Sequence, residues 1–134
     1  MAYEQPGMTI GFLNADVDMS SIATAQYTAV DIVAAQHTKG YGMGNAACAR
    51  PTAGGQIIGI VQNNPVVGEA ATIFATGVSM AKVSGAGVIG DYLMVDANGF
   101  FLKATTGNQA VARALETYQV GNTTSVILGK FGKV

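Results

Sequence analysis

Charge is what this sequence has least of. Seven basic and eight acidic side chains make up 11% of its 134 residues, against about 25% in an ordinary soluble domain. The basic residues (Lys39, Arg50, Lys82, Lys103, Arg113, Lys130 and Lys133) are scattered and the net charge is −1. No stripe of cations is present to neutralise phosphates, which argues against nucleic-acid binding. There is one cysteine and one histidine. A single cysteine excludes an intramolecular disulfide, and Cys48, inside the apolar run Ala46–Ala49, reads as a buried inert thiol. His37 and Cys48 alone do not make a structural zinc site. No apolar run reaches the ~20 residues of a membrane-spanning helix. Met1–Pro6 has neither the basic nor the apolar region of a signal peptide, so the chain is expected to be made in a cytoplasm.

What is abundant is apolar side chain, at 49%, and glycine, at eighteen residues. A free monomer normally carries more charge than this to stay soluble. Two readings fit: surfaces that spend their life covered in an assembly, or a small domain faced with Thr, Ser, Asn and Gln.

The glycines punctuate short apolar runs, and the 3.6-residue helical period is missing. Strands are expected over Tyr27–Ala35, Tyr41–Ala49, Gln56–Gln62, Ala70–Gly77, Tyr92–Val95, Phe100–Ala104, Val111–Tyr118 and Ser125–Lys130. Between them lie turn clusters. Asn98-Gly99 predicts a type I′ hairpin with positive φ at both residues. Pro65, Gly68, Gly90, Asp91, Asn98 and Gly99 are expected to have structural roles in turns, with positive φ at Gly68 and Gly99. Short strands at this spacing predict an all-β domain over 27–134, a small β-barrel or a β-tulip-like sandwich.

The first 26 residues differ. Met8, Ile10 and Phe12 alternate with Thr9 and Gly11 as in an extended strand, and a polar stretch follows from Asn14 to Gln26. Twenty extended residues reach about 65 Å, while a globule of this size has a radius of gyration of about 14 Å. The segment either pairs within its own sheet or acts as an extended arm that reaches a neighbour, with Tyr3, Pro6, Met8, Ile10 and Phe12 as the contact residues.

Each apparent catalytic or cofactor motif lacks its context. Gly85–Gly90 has G-x-G-x-x-G spacing, but a strand-like Asp91–Asp96 follows where a helix N-terminus must hold the pyrophosphate. Gly77-Val78-Ser79-Met80-Ala81 resembles a nucleophile elbow whose last glycine is replaced, with only His37 as a base. Asp16 and Asp18 lack an oxygen-rich calcium loop after them. Met80-Ala81-Lys82-Val83 is reminiscent of a lipoyl or biotinyl carrier, in which a lysine at a hairpin tip bears the swinging cofactor, but acidic neighbours are missing. The expectation is no enzyme, no metal and no cofactor, with the Lys82 carrier as a remaining alternative.

From Arg50 onward the order of motifs resembles the capsid cement, or head-decoration, family of tailed phages. The resemblance is carried by Arg50–Gly55, Gly59–Pro65, Gly68–Ala71, Gly77–Ser79, Gly90–Leu93, Asp96–Gly99 and Ala112–Glu116, some 80 residues in all. Ala112 stands where the family often has glycine, and the first 50 residues match less well. The resemblance implies a structural virion protein on the capsid exterior, bound to the major capsid protein and to copies of itself as a homotrimer. A tail- or fibre-associated β-protein is the alternative.

Overall fold

The structure, a computed structural model, describes residues 8–10, 15, 26–34, 46–66 and 68–134. Nine strands account for the described fold: β1 (Met8–Ile10), β2 (Ala29–Ala34), β3 (Ala46–Ala49), β4 (Gly59–Val61), β5 (Ile73–Lys82), β6 (Tyr92–Val95), β7 (Phe101–Lys103), β8 (Gln109–Ala114) and β9 (Thr123–Lys133). They form one antiparallel sheet in the order β3-β2-β4-β5-β9-β8-β6-β7, with β1 also on β5. The sheet curls into a half-barrel and the fold is all-β.

Strand β5 organises this curl by changing partners along its length. Its first residues, Ile73 and Phe74, pair with Val61 and Ile60 of β4, while Ile73–Thr76 also meet β1. From Gly77 to Lys82 the partner is β9, through six pairs from Gly77↔Leu128 to Lys82↔Thr123. Gly77, with φ +107°, sits at the hand-over. The sequence predicts a strand that stops at Gly77; instead the glycine lets one strand serve two sets of partners.

Folding β2 and β4 over the inner face makes the core. Ala29 and Ile60 pack in one cluster with Leu93, Val95, Phe101 and Val126, all buried. A second, smaller cluster gathers Ala15, Val30, Cys48, Val61, Ala71 and Ile73, which places the lone thiol in apolar surroundings. Burial of each large aliphatic or aromatic side chain contributes about 1.5–3 kcal/mol, so the packing inside the curled sheet is a main source of stability.

Two further expectations differ from the structure. Strand β8 ends at Ala114, not Tyr118, because the chain turns at Leu115 and Tyr118 makes an isolated bridge with Gly87. The β6–β7 hairpin forms, but only Gly99 has positive φ. Gly99 N donates to Asp96 O (3.0 Å), and Asp96 Oδ1 accepts from Asn98 N and Phe100 N (2.9 and 3.0 Å). That is the pattern of a tight turn followed by a left-handed glycine rather than type I′. The Asp96 carboxylate, by satisfying two donors, makes the positive φ at Asn98 unnecessary. Residues 41–45 of the strand expected over Tyr41–Ala49 lie outside the described residues.

Candidate functional site

The residues that carry the motifs are structural fasteners. In the β4–β5 connection, Gln62 Nε2 donates to Ser79 Oγ (3.1 Å), and Asn63 bonds Ala70 O and Thr72 N (both 3.1 Å). Asn64 Oδ1 accepts from Gln26 N, Pro65 is fully buried, and Glu69 accepts from Val66 N. Gly68 has φ +89° and donates to Ala15 O. Arg50 Nη1 donates to Thr28 Oγ1 and Asn98 O, both at 2.9 Å, tying the start of β2 to the hairpin tip. Burial lowers the pKa of the Arg50 guanidinium and the nearby Asp96 opposes the shift.

None of the apparent chemical motifs gathers a reactive constellation. Ser79 lies within β5, not on a strand-to-helix elbow, and its hydroxyl donates to Met80 O. His37, Asp16 and Asp18 lie outside the described residues. Gly85–Gly90 runs into β6 rather than a helix. Lys82 ends a paired ladder and is half-buried, its pKa lowered by desolvation and by Arg50; it does not occupy the exposed hairpin tip that a carrier lysine needs. Among the described residues no three His, Cys, Asp or Glu side chains come together as for a metal.

Of the arm residues, Met8 and Ile10 lie in β1, opposite Thr76 and Ile73 of the chain's own β5, and the Met8 side chain is exposed. Tyr3, Pro6 and Phe12 lie outside the described residues. Close to the end of β1 is an apolar cleft of about 240 Å³ between Ile57, Ile58 and Thr76 on one side and Val111, Leu128 and Gly129 on the other.

The feature the sequence reading missed is on the outer face of the sheet. Register sets four side chains in one row across four strands: Tyr92↔Arg113, Arg113↔Ile127 and Ile127↔Val78. Tyr92 and Ile127 are 43% and 38% exposed, and Phe131, beside them, 43%. The Tyr92 and Phe131 rings meet edge to face at 5.4 Å. Arg113 lies over the Tyr92 ring, 4.9 Å from its centroid, and its Nε donates to Gly90 O. The turn that carries Gly90 (φ +92°) is braced from below: Asp91 Oδ2 accepts from Tyr118 Oη and Val88 N, both at 3.0 Å, and Tyr118 and Gly87 exchange two main-chain bonds. Burial and the bond to Asp91 push the Tyr118 hydroxyl far above the usual tyrosine range. The signal was present in Val126-Ile127-Leu128 and Tyr92–Val95, where unbroken apolar runs in strands with a solvated face require apolar side chains on both sides.

No family model and no curated protein sequence matches the chain. Among solved structures, the fold is similar to that of the head fibre gp8.5 N base of bacteriophage phi29, with a TM-score of 0.71 and 12% identity over 95% of this chain and 98% of that one. At that identity the likeness is one of fold, and the all-β architecture read from the strands is one that a phage head fibre base also has.

Proposed function

We propose that this chain is a structural, non-catalytic protein of a tailed-phage head, held on the capsid exterior as a cement or decoration subunit that stabilises the DNA-filled shell. The observation that carries the reading is the whole-chain likeness of fold to a phage head fibre base. The ordered motifs from Arg50 onward, which resemble the cement family, point to the same particle. The partners are the major capsid protein and copies of this chain, as a homotrimer, with no nucleic acid, membrane or cofactor involved. Affinity in such a role comes from main-chain pairing and apolar contact, and joining three attachments multiplies avidity by roughly 10² to 10⁴. With Met8–Ile10 laid along β5, the neighbour-reaching role assigned to the N-terminal arm falls on Tyr3, Pro6 and Phe12.

The likeness to gp8.5 favours a second reading of equal standing, in which the chain is the seat of a fibre on the head rather than a cement. The two differ in what binding does. Purified protein added to undecorated, expanded heads should bind in either case. As a cement it raises the temperature at which the heads release DNA; as a fibre seat it leaves that temperature unchanged. Protein found on tails with heads bare would overturn both.

A further inference from the structure

We infer that Arg113, set in the apolar outer row of β6, β8 and β9, receives a carboxylate: an Asp or Glu side chain flanked by apolar residues on the major capsid protein. This rests on the head-binding reading and names the chemistry of the contact. Two fixed contacts orient the guanidinium. It lies over the Tyr92 ring, and its Nε donates to Gly90 O at 2.9 Å. Gly90 O is held in turn, because Asp91 braces that loop through Tyr118 Oη and Val88 N. Arg113 is exposed, and its two terminal nitrogens have no hydrogen-bond partner among the described residues. A guanidinium fork presented in this way matches a carboxylate through two parallel hydrogen bonds.

The surroundings of that cation select the occupant. Register puts Tyr92 and Ile127 on either side of Arg113, with Val78 beyond Ile127 and Phe131 against Tyr92. A partner that covers these apolar side chains must also cover Arg113. A guanidinium taken out of water without an anion is strongly destabilising, so a partner lacking a carboxylate at this place is rejected, and one that has it gains a charge-assisted pair. The same row in a second copy presents Arg113 again, and two copies face to face would set like charges together. Tyrosine and arginine are the side chains that most often dominate an interface. Here both are locked before a partner arrives, so little ordering opposes docking. Once covered, the pair is screened little by salt.

The test uses the full chain and undecorated, expanded heads, with binding read by co-sedimentation. The variants are Arg113→Gln, Arg113→Lys and, as a control, Lys103→Gln. Exposed Lys103 stands opposite core-facing Leu93, on the other side of the hairpin from Tyr92. Melting curves establish that each variant is folded. The parent chain and Lys103→Gln should bind alike, and Arg113→Gln at least about 30-fold more weakly, as on truncating one member of a covered charge pair. Arg113→Lys should fall between them, since an ammonium keeps the charge but not the fork. Its amine also gives a readout that a purely structural role of Arg113 would not move. A water-soluble carbodiimide should join it to an Asp or Glu of the capsid protein, found as a crosslinked peptide. Unchanged head binding by Arg113→Gln overturns the inference, as does an equal loss in Lys103→Gln. An Arg113→Lys chain that binds heads without a crosslink from position 113, or with one to another copy of this chain, also overturns it. A parent chain that does not bind heads overturns the head reading itself, and the inference with it.

Discussion

Gly99 shows how much one hydrogen atom in place of a methyl group decides. Its φ is +82°, and a Cβ there would stand 2.5 Å from Ala29 O. Gly107 has φ +90° with nothing within 4 Å of such a Cβ. Gly107→Ala should therefore lose only about 1–2 kcal/mol, for the left-handed backbone. Gly99→Ala should lose roughly 2–5 kcal/mol, since the tip must also back away from β2. Urea titration of the two variants measures the gap, and equal losses would refute the close approach. A second test is electrostatic. Tyr118→Phe removes the bond to Asp91 and should lower stability by about 1 kcal/mol at neutral pH. The folded-state pKa of Tyr118 is raised, so its contribution is full below the unfolded value of about 10 and is lost as pH rises towards the folded one. Parent and variant should accordingly converge above pH ~10, in unfolding curves taken at stepped pH. A constant difference would mean that the bond is not linked to ionisation. Such residues were half legible beforehand: Gly99 announces a turn, but that its partner is Ala29, seventy positions earlier, depends on closure of the sheet.

At the scale of elements, the β6–β7 hairpin divides its side chains cleanly. Leu93, Val95 and Phe101 point into the core, while Tyr92 faces out against Phe131. Phe101→Ala should destabilise by about 3–5 kcal/mol through the cavity it leaves. Phe131→Ala, on the exposed face, should change stability by about 0.5–1 kcal/mol, chiefly the edge contact with Tyr92. Thermal melts of the pair separate the two roles, and comparable losses would show that Phe131 belongs to the core. Most strands were legible from alternation and glycine spacing. Where the reading failed, a long-range partner overrode a local signal. Gly77 looked like an end because glycine weakens strands, yet six pairs with β9 carry β5 past it. Leu115–Tyr118 looked like a continuation because Thr117 and Tyr118 suit a strand, yet Tyr118 is drawn off to Gly87.

For the molecule as a whole, low charge content and an apolar outer row make one prediction about attachment. Binding to heads should survive several hundred millimolar salt, because screening acts on exposed charges and few are available. Release of decorated heads' subunits at ~0.3 M salt in a sedimentation assay would instead indicate an ionic grip. Removal of residues 2–12 takes away β1 and the arm, and should weaken head attachment while the core clusters around Phe101 and Ile60 remain; equal retention of full-length and shortened protein would sink the arm. The scarcity of charge was legible without coordinates, but which side chains share the outer face was not. Register decides that, and register across β6, β8, β9 and β5 brings together residues up to 49 positions apart in the chain.

Strand β9 is spatially central, between β5 and β8, yet follows every other strand in order. At translation rates of about 5–20 residues per second, some ten seconds separate the emergence of β1 from that of β9. Throughout that interval β5 and β8 each lack a neighbour, and the pairing that joins them is of the slow, non-local kind. A ribosome that stalls short of Thr123 releases a chain without the middle of its sheet, and with neither the Arg113–Ile127 pair nor the row built on it. The topology thus makes the sheet wait for β9: a copy in which β9 has not paired lacks the assembled outer face.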